Sequence, residues 1–149
     1  MGANYSISHV DAELIQQFEA CTWPFDRWTH RAHVRVAYLY LRLHPFDEAL
    51  AKMRAGVKAY NAANNVPEAP VSGYNETTTH AFVHLVAAVM RAYDATHPVT
   101  DSKSFCEMHP QLMSKHLLRF FYSPQRRMDS RAKQEFVEPD LAPLPRILE

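Results

Sequence analysis

Two short stretches of this sequence set imidazoles and a carboxylate at spacings able to hold a metal ion or a polar ligand. His30 and His33 lie three residues apart in WTHRAHVRVAYLYL, and Glu76, His80 and His84 follow at intervals of four in NETTTHAFVH. Positions three and four apart share one face of a helix, so each set can present its groups to the same side. Nitrogen plus carboxylate ligation suits Zn, Fe, Mn or Ni. Histidines from one helix with a carboxylate from its neighbour are one way of building a metal centre inside a bundle. Three protein ligands would leave positions open to water or substrate, as a catalytic metal requires.

The faces of these helices sharpen the choice. At about 100° per residue, Arg31, Arg35 and Arg42 fall together, which reads as the wet face, and His33 lies opposite, flanked by Val36, Ala37 and Tyr40. A histidine centred in an apolar stripe must be neutral and hydrogen-bonded, or bound to something. In the second stretch the apolar face centres near Val83, Val86 and Met90, which makes Glu76 the best inward candidate, His80 the next and His84 the last. Glu76 also has a reading without function. With Asn75 as the N-cap it occupies the first helical position, where the helix dipole favours a carboxylate by about 0.3–1 kcal/mol. The expected ligands of a divalent metal (Fe, Zn, Mn or Ni) are therefore His30, His33, Glu76 and His80, with Tyr74 and Asn75 placed to position a metal-bound water or a substrate. HExxH is absent and so is a paired ExxH, so a mononuclear site is the simpler expectation.

These groups need a scaffold, and the rest of the sequence describes a helical one. The 149 residues fit one domain, 1–149, able to bury roughly 70 % of its unfolded surface, and 47 % of them are hydrophobic. Glycines number only three, and the ten prolines fall largely between segments, so proline does the punctuation. Helical patterns are expected from Ser8 or Asp11 to Cys21, from Arg27 or Thr29 to His44, and from an N-cap at Asp47 through Tyr60. After a loop from Asn61 to Gly73, the longest helix covers Asn75 to Thr96. Shorter helices follow from Asp101 or Ser102 to just before Pro110, from Gln111 to Tyr122, and from Ser130 to Val137, with Ser123 and Pro124 as a turn. Pro139, Pro143 and Pro145 make 138–149 an extended tail lying over the helices. No alternating strand pattern occurs. The fold class is all-α, a single-domain bundle of about five to seven helices with an extended Pro-rich C-terminal tail.

Charge and motifs exclude several functions. Sixteen basic residues balance sixteen acidic ones, against a general nucleic-acid binder. Arg126, Arg127, Arg131 and Lys133 form a local basic run, diluted by Asp129 and Glu135, which reads as a solvated face. Cys21 and Cys106 show no pairing pattern and read as reduced thiols of a cytoplasmic protein. Walker, dinucleotide and GxSxG motifs are missing. The N-terminus lacks the apolar and basic regions of a secretion signal, and no apolar run approaches the roughly 18 residues of a membrane span. Gly2 with Ser6 matches the loose myristoylation pattern, which is meaningless in a bacterial chain.

The segments WTHRAHVRVAYLYL from Trp28, PFDEALAKMRAGVKAYN from Pro45, GYNETTT from Gly73 and FVEPDLAPLP from Phe136 resemble a family of small, mostly uncharacterised bacterial proteins. Its recurring pattern is close to THxAHL, then GYHETIT, then WVEPDLAPLP, and the resemblance covers nearly the whole chain. It implies that His30 and His33 correspond to the two histidines of THxAH, and Asn75 and Glu76 to the HE pair. Asn75 stands where the family pattern has histidine, so any site would be completed differently here, with His80 the available substitute.

Three functions are consistent with these residues. The first is a metal-dependent oxidase, oxygenase or hydrolase acting on a small molecule. The second is a non-catalytic module whose histidines and Glu76 form a metal-free polar network lining a ligand pocket. The third is a structural protein, most simply a homodimer through an exposed apolar helix face.

Overall fold

The computed structural model describes residues 7–148, which contain seven α-helices and no strand. They are α1 (His9–Glu19), α2 (His30–Leu43), α3 (Phe46–Ala63), α4 (Glu76–Tyr93), α5 (Ser102–Met108), α6 (Pro124–Met128) and α7 (Ser130–Gln134). Three 3-10 turns join them, at Phe25–Arg27, Pro110–Leu112 and Leu117–Phe120. The all-α expectation holds. Gly2 and Ser6 of the myristoylation pattern lie outside the described residues.

Local chemistry explains where the helices start. Side-chain oxygens of Ser8, Thr29, Asn75 and Asp101 each accept a backbone N–H from the first turn of α1, α2, α4 and α5. Helix α3 begins two residues earlier than an Asp47 cap would allow. Pro45 holds the cap position with its ring-fixed φ of −61°, its carbonyl accepts the N–H of Ala49 at 2.9 Å, and Asp47 and Glu48 sit in the first turn. The same helix runs on to Ala63, while α4 stops at Tyr93.

Two further expectations need correction. Gln111–Tyr122 is not an α-helix but a pair of 3-10 turns. Pro110 opens the first, and the Ser114 hydroxyl takes the N–H of His116 at 3.1 Å, which competes with regular helix bonds. The turn expected at Ser123–Pro124 is instead the start of α6, with Ser123 as cap and Pro124 in the first turn.

Helix α2 is the axis of the fold, touching α1, α3, α4 and α5. Its arginine face is wet only at Arg31. Arg31 is exposed, but Arg35 donates to Ser102 Oγ at 2.8 Å beside the buried carboxylate of Asp11. Asp11 in turn accepts the Ser102 N–H at 2.9 Å and the Ser102 hydroxyl at 2.5 Å. Arg42 makes a two-pronged bond to Asp94, at 2.9 and 2.6 Å. On the other side Phe18 of α1 stacks on Trp28, with ring centres 4.7 Å apart, and tilts against Tyr60 of α3 at 5.8 Å.

The tail lies across the helices as expected. Tyr122 donates to the Val137 carbonyl at 2.8 Å, Leu141 N–H to the Phe121 carbonyl at 2.9 Å, and His84 Nε2 to the Pro145 carbonyl at 2.6 Å. Among the described residues, no helix is long and apolar enough to cross a membrane.

One packing contact gives a test. A Cβ added at Gly56 of α3 would stand 2.5 and 2.7 Å from two ring carbons of Phe18, and that ring is fully buried against Trp28. Overpacking costs about 1–3 kcal/mol, whereas alanine in place of glycine gains about 1 kcal/mol of helix propensity. With contacts this short the clash wins. Gly56→Ala should lose about 1–2 kcal/mol of unfolding free energy, read as a lower urea midpoint with an unchanged slope. A variant as stable as the wild type would show that the Phe18 ring yields.

Candidate functional site

A cavity of about 300 Å³ opens between α2, α3 and α4. Val34, Ala37, Met53, Val57, Val83 and Val86 make its walls apolar. His30 and His33 supply its imidazoles, Thr78 and Thr79 its hydroxyls, and Lys115, from the connection between the last two 3-10 turns, its cation.

Both imidazoles are fixed by backbone carbonyls. His33 Nδ1 lies 2.8 Å from the carbonyl of Thr29, the residue that also caps α2, and His30 Nε2 lies 2.8 Å from the carbonyl of Leu112. A carbonyl only accepts, so each of these nitrogens carries the proton. The opposite nitrogen of each ring, His33 Nε2 and His30 Nδ1, is then a bare acceptor in the neutral form, with no hydrogen-bond partner among the described residues. The rings are also packed, His33 against Trp28 at 3.9 Å and His30 edge-on to Phe82 at 4.9 Å.

Burial keeps them neutral. It is the main cause lowering His33 from 6.5 to about 4, opposed by the bond to Thr29 and aided by the neighbouring His30. His30 is lowered by burial too, against the raising effect of its bond to Leu112, and the charge of Lys115 pushes the same way as burial.

Glu76 is bound elsewhere. Arg54 of α3 grips its carboxylate with two bonds, Nε to Oε1 at 2.8 Å and an outer nitrogen to Oε2 at 2.6 Å. The Tyr74 hydroxyl donates to Oε1 at 2.7 Å. Burial alone would raise the pKa of this carboxyl, but the bonds from Arg54 and Tyr74 outweigh it and the net shift is downward. Tyr74 is shifted upward, by burial first and then by its bond to Glu76. Thr79, a residue of the cavity lining, opposes these two causes and pulls the Tyr74 hydroxyl back down. Gly73 makes the approach possible. Its φ of +87° suits only glycine, and a Cβ there would strike the Glu68 carboxylate that holds the Tyr74 N–H at 3.0 Å.

The remaining expected residues have other partners. His80 stacks on Phe136 at 4.0 Å, and its pKa is lowered by burial despite the nearby charge of Glu76. Asn75 accepts the Thr78 N–H at 2.9 Å as the cap of α4. So His30 and His33 meet at the cavity, Tyr74 and Glu76 meet each other beside it, and the four expected ligands do not form one cluster. Among the described residues, no group of three or more His, Cys, Asp or Glu side chains is arranged to hold a metal ion. The basic run also divides. Lys133 is drawn inward onto Glu68 and the carbonyls of Ser72 and Tyr74, while Arg126 bonds the Glu138 carbonyl and Arg131 bonds Glu135.

Sequence inspection missed Arg54, Lys115, Thr78 and Thr79. Arg54 was detectable, because it follows Leu50 by four residues on the stripe of Leu50, Met53 and Val57, an odd place for an unpaired charge. Nothing in the sequence around Lys115 marks it. Comparison of the chain with protein-family profiles, with curated proteins and with solved structures found no match.

Two predictions follow from this electrostatic arrangement. Below pH 6.5 the unfolded chain protonates His33 and the folded chain does not, until about pH 4. The contribution of neutral His33 to stability is therefore complete above pH 6.5 and falls as the pH drops to about 4, by on the order of 3 kcal/mol. Burial lowers His30, His80 and His109 as well, adding slope of the same sign. His33→Gln should flatten urea-derived stability across that pH window, and an unaltered slope would mean that His33 titrates as if exposed. For the ion pair, Arg54→Met should destabilise more than Glu76→Gln. The first strands a buried carboxylate, whereas in the second a half-exposed guanidinium turns to water. Equal losses in thermal unfolding would contradict this ordering.

Proposed function

We propose that this chain is a small-molecule-binding helical protein whose cavity takes an apolar ligand that donates a hydrogen bond to His33 or His30. One observation carries the reading: both imidazole N–H groups are already spent on backbone carbonyls, leaving two bare acceptors on residues that line an apolar cavity. Neither nitrogen is sealed from solvent, so a ligand that brings a donor replaces a water there and keeps the bond while its apolar body leaves water. The cavity volume lies at the lower end of the range for ligand sites and suits a molecule of one ring. A cytoplasmic setting is in keeping with two cysteines that are both free, one of them buried.

The test compares 4-ethylphenol, which carries a donor, with ethylbenzene, which has the same body without one. Trp28 packs on His33 and reports binding through its fluorescence. The phenol should bind about tenfold tighter, and His33→Leu should remove most of that difference. Equal affinities in the wild type would overturn donor recognition.

The same two nitrogens favour a second reading, a metal ion held by His30 and His33. Metal-bound histidines usually donate their other N–H to a carbonyl or carboxylate, as both rings do here. With Glu76 committed to Arg54, the remaining positions would fall to water or substrate, as in a metal-dependent oxidase, oxygenase or hydrolase. Elemental analysis of protein purified without an affinity tag, wild type against His33→Ala, separates the two readings. Near-stoichiometric Fe, Zn, Mn or Ni that is lost in the variant would establish the metal. No metal in either protein, even after incubation with all four ions, would remove it.

A further inference from the structure

Resting on the ligand-cavity reading, we infer that the molecule the cavity takes is a hydroxyl-bearing organic carboxylate, its hydroxyl donating to an imidazole, its apolar body between α2, α3 and α4 and its charge against Lys115. The lining contains one cation, two imidazoles and no carboxylate. Lys115 is exposed and makes no ion pair among the described residues, yet it stands close enough to His30 for its charge to be felt there. The cations that face the interior are treated differently. Arg35, Arg42, Arg54 and Lys133 are each answered by a carboxylate of the chain itself.

The surroundings of Lys115 have the same sign. Arg119 and Arg127 both act on His116, the residue after Lys115, and neither has a carboxylate partner among the described residues. An apolar cavity whose edge carries one unmatched ammonium in a positive field complements a molecule with an apolar body and a single negative end. A lone ammonium suits a singly charged carboxylate better than a phosphate dianion, which arginine pairs or clustered backbone N–H groups hold best.

The test uses 3-(4-hydroxyphenyl)propanoate and its neutral counterpart 3-(4-hydroxyphenyl)propan-1-ol, which share the phenol donor and differ in charge, measured by calorimetry and by Trp28 fluorescence. The acid should bind about tenfold tighter than the alcohol at low ionic strength, and the gap should narrow as sodium chloride is added. Lys115→Met should reduce the gap to less than about threefold without weakening the alcohol, and Lys115→Arg should restore it. Lys115 is exposed, and unchanged alcohol binding serves as the check that the cavity is intact. An alcohol that binds as well as the acid would overturn this inference and leave the cavity reading standing. If neither compound binds at millimolar concentration, the cavity reading fails and this inference fails with it.

Discussion

Helix α2 lies among α1, α3, α4 and α5, so the charges of Arg35 and Arg42 have to be met inside the protein rather than by water. Asp11 and Ser102 meet the first, and Asp94 meets the second. Such pairs add little net stability over apolar replacements, because desolvation consumes most of the attraction. Their effect is on placement. A misplaced α2 would strand two guanidiniums without counter-charges, so its rotation about its own axis is narrowly set. With one face committed to arginine pairing, the opposite face, bearing His30, His33, Val34 and Ala37, becomes a cavity wall.

Backbone groups then decide what that wall offers. Thr29 caps α2 with its hydroxyl, and its carbonyl receives both the N–H and the ring Nδ1 of His33. One residue thus fixes the start of the helix and the tautomer of the histidine one turn on. Leu112, at the end of a 3-10 turn, does the same for His30 from a distant part of the chain. Had Gln111–Tyr122 been a regular helix, its carbonyls would be spent on helix bonds, and Leu112 would have fewer ways to reach an imidazole. The irregular connection that joins these turns also brings Lys115 to the cavity.

Much of the fold was legible because its signals are local. The 3.6-residue periodicity of α2, α3 and α4, the proline punctuation, and the caps at Ser8, Thr29 and Asn75 each act within a few residues. His30 and His33 were legible for the same reason. What escaped was decided by partners far away in sequence. Counting helix faces assumes that the charged side is wet, and nothing near Arg35 or Arg42 reveals that Asp11 and Asp94 will cover them. Glu76 looked available because Arg54 sits on another helix, 22 residues upstream. In Gln111–Tyr122 the leucine and phenylalanine content resembles a buried helix, but Pro110 and the Ser114 hydroxyl redirect the backbone.

The ion pair between Arg54 and Glu76 governs the cavity even though neither residue lines it. A carboxylate beside an imidazole stabilises the protonated ring and raises its pKa. His80 shows this influence, for the charge of Glu76 pulls its pKa upward although burial still prevails. If the Glu76 carboxylate stood among His30 and His33 instead, those rings would move towards imidazolium, and their bare acceptors would become donors. Drawing Glu76 onto Arg54 and Tyr74 keeps that negative charge out of the cavity. The imidazoles are left neutral and accepting, and Lys115 remains the only full charge in the lining. The character of the lining, neutral imidazoles beside one ammonium, is therefore set by a bond made outside it.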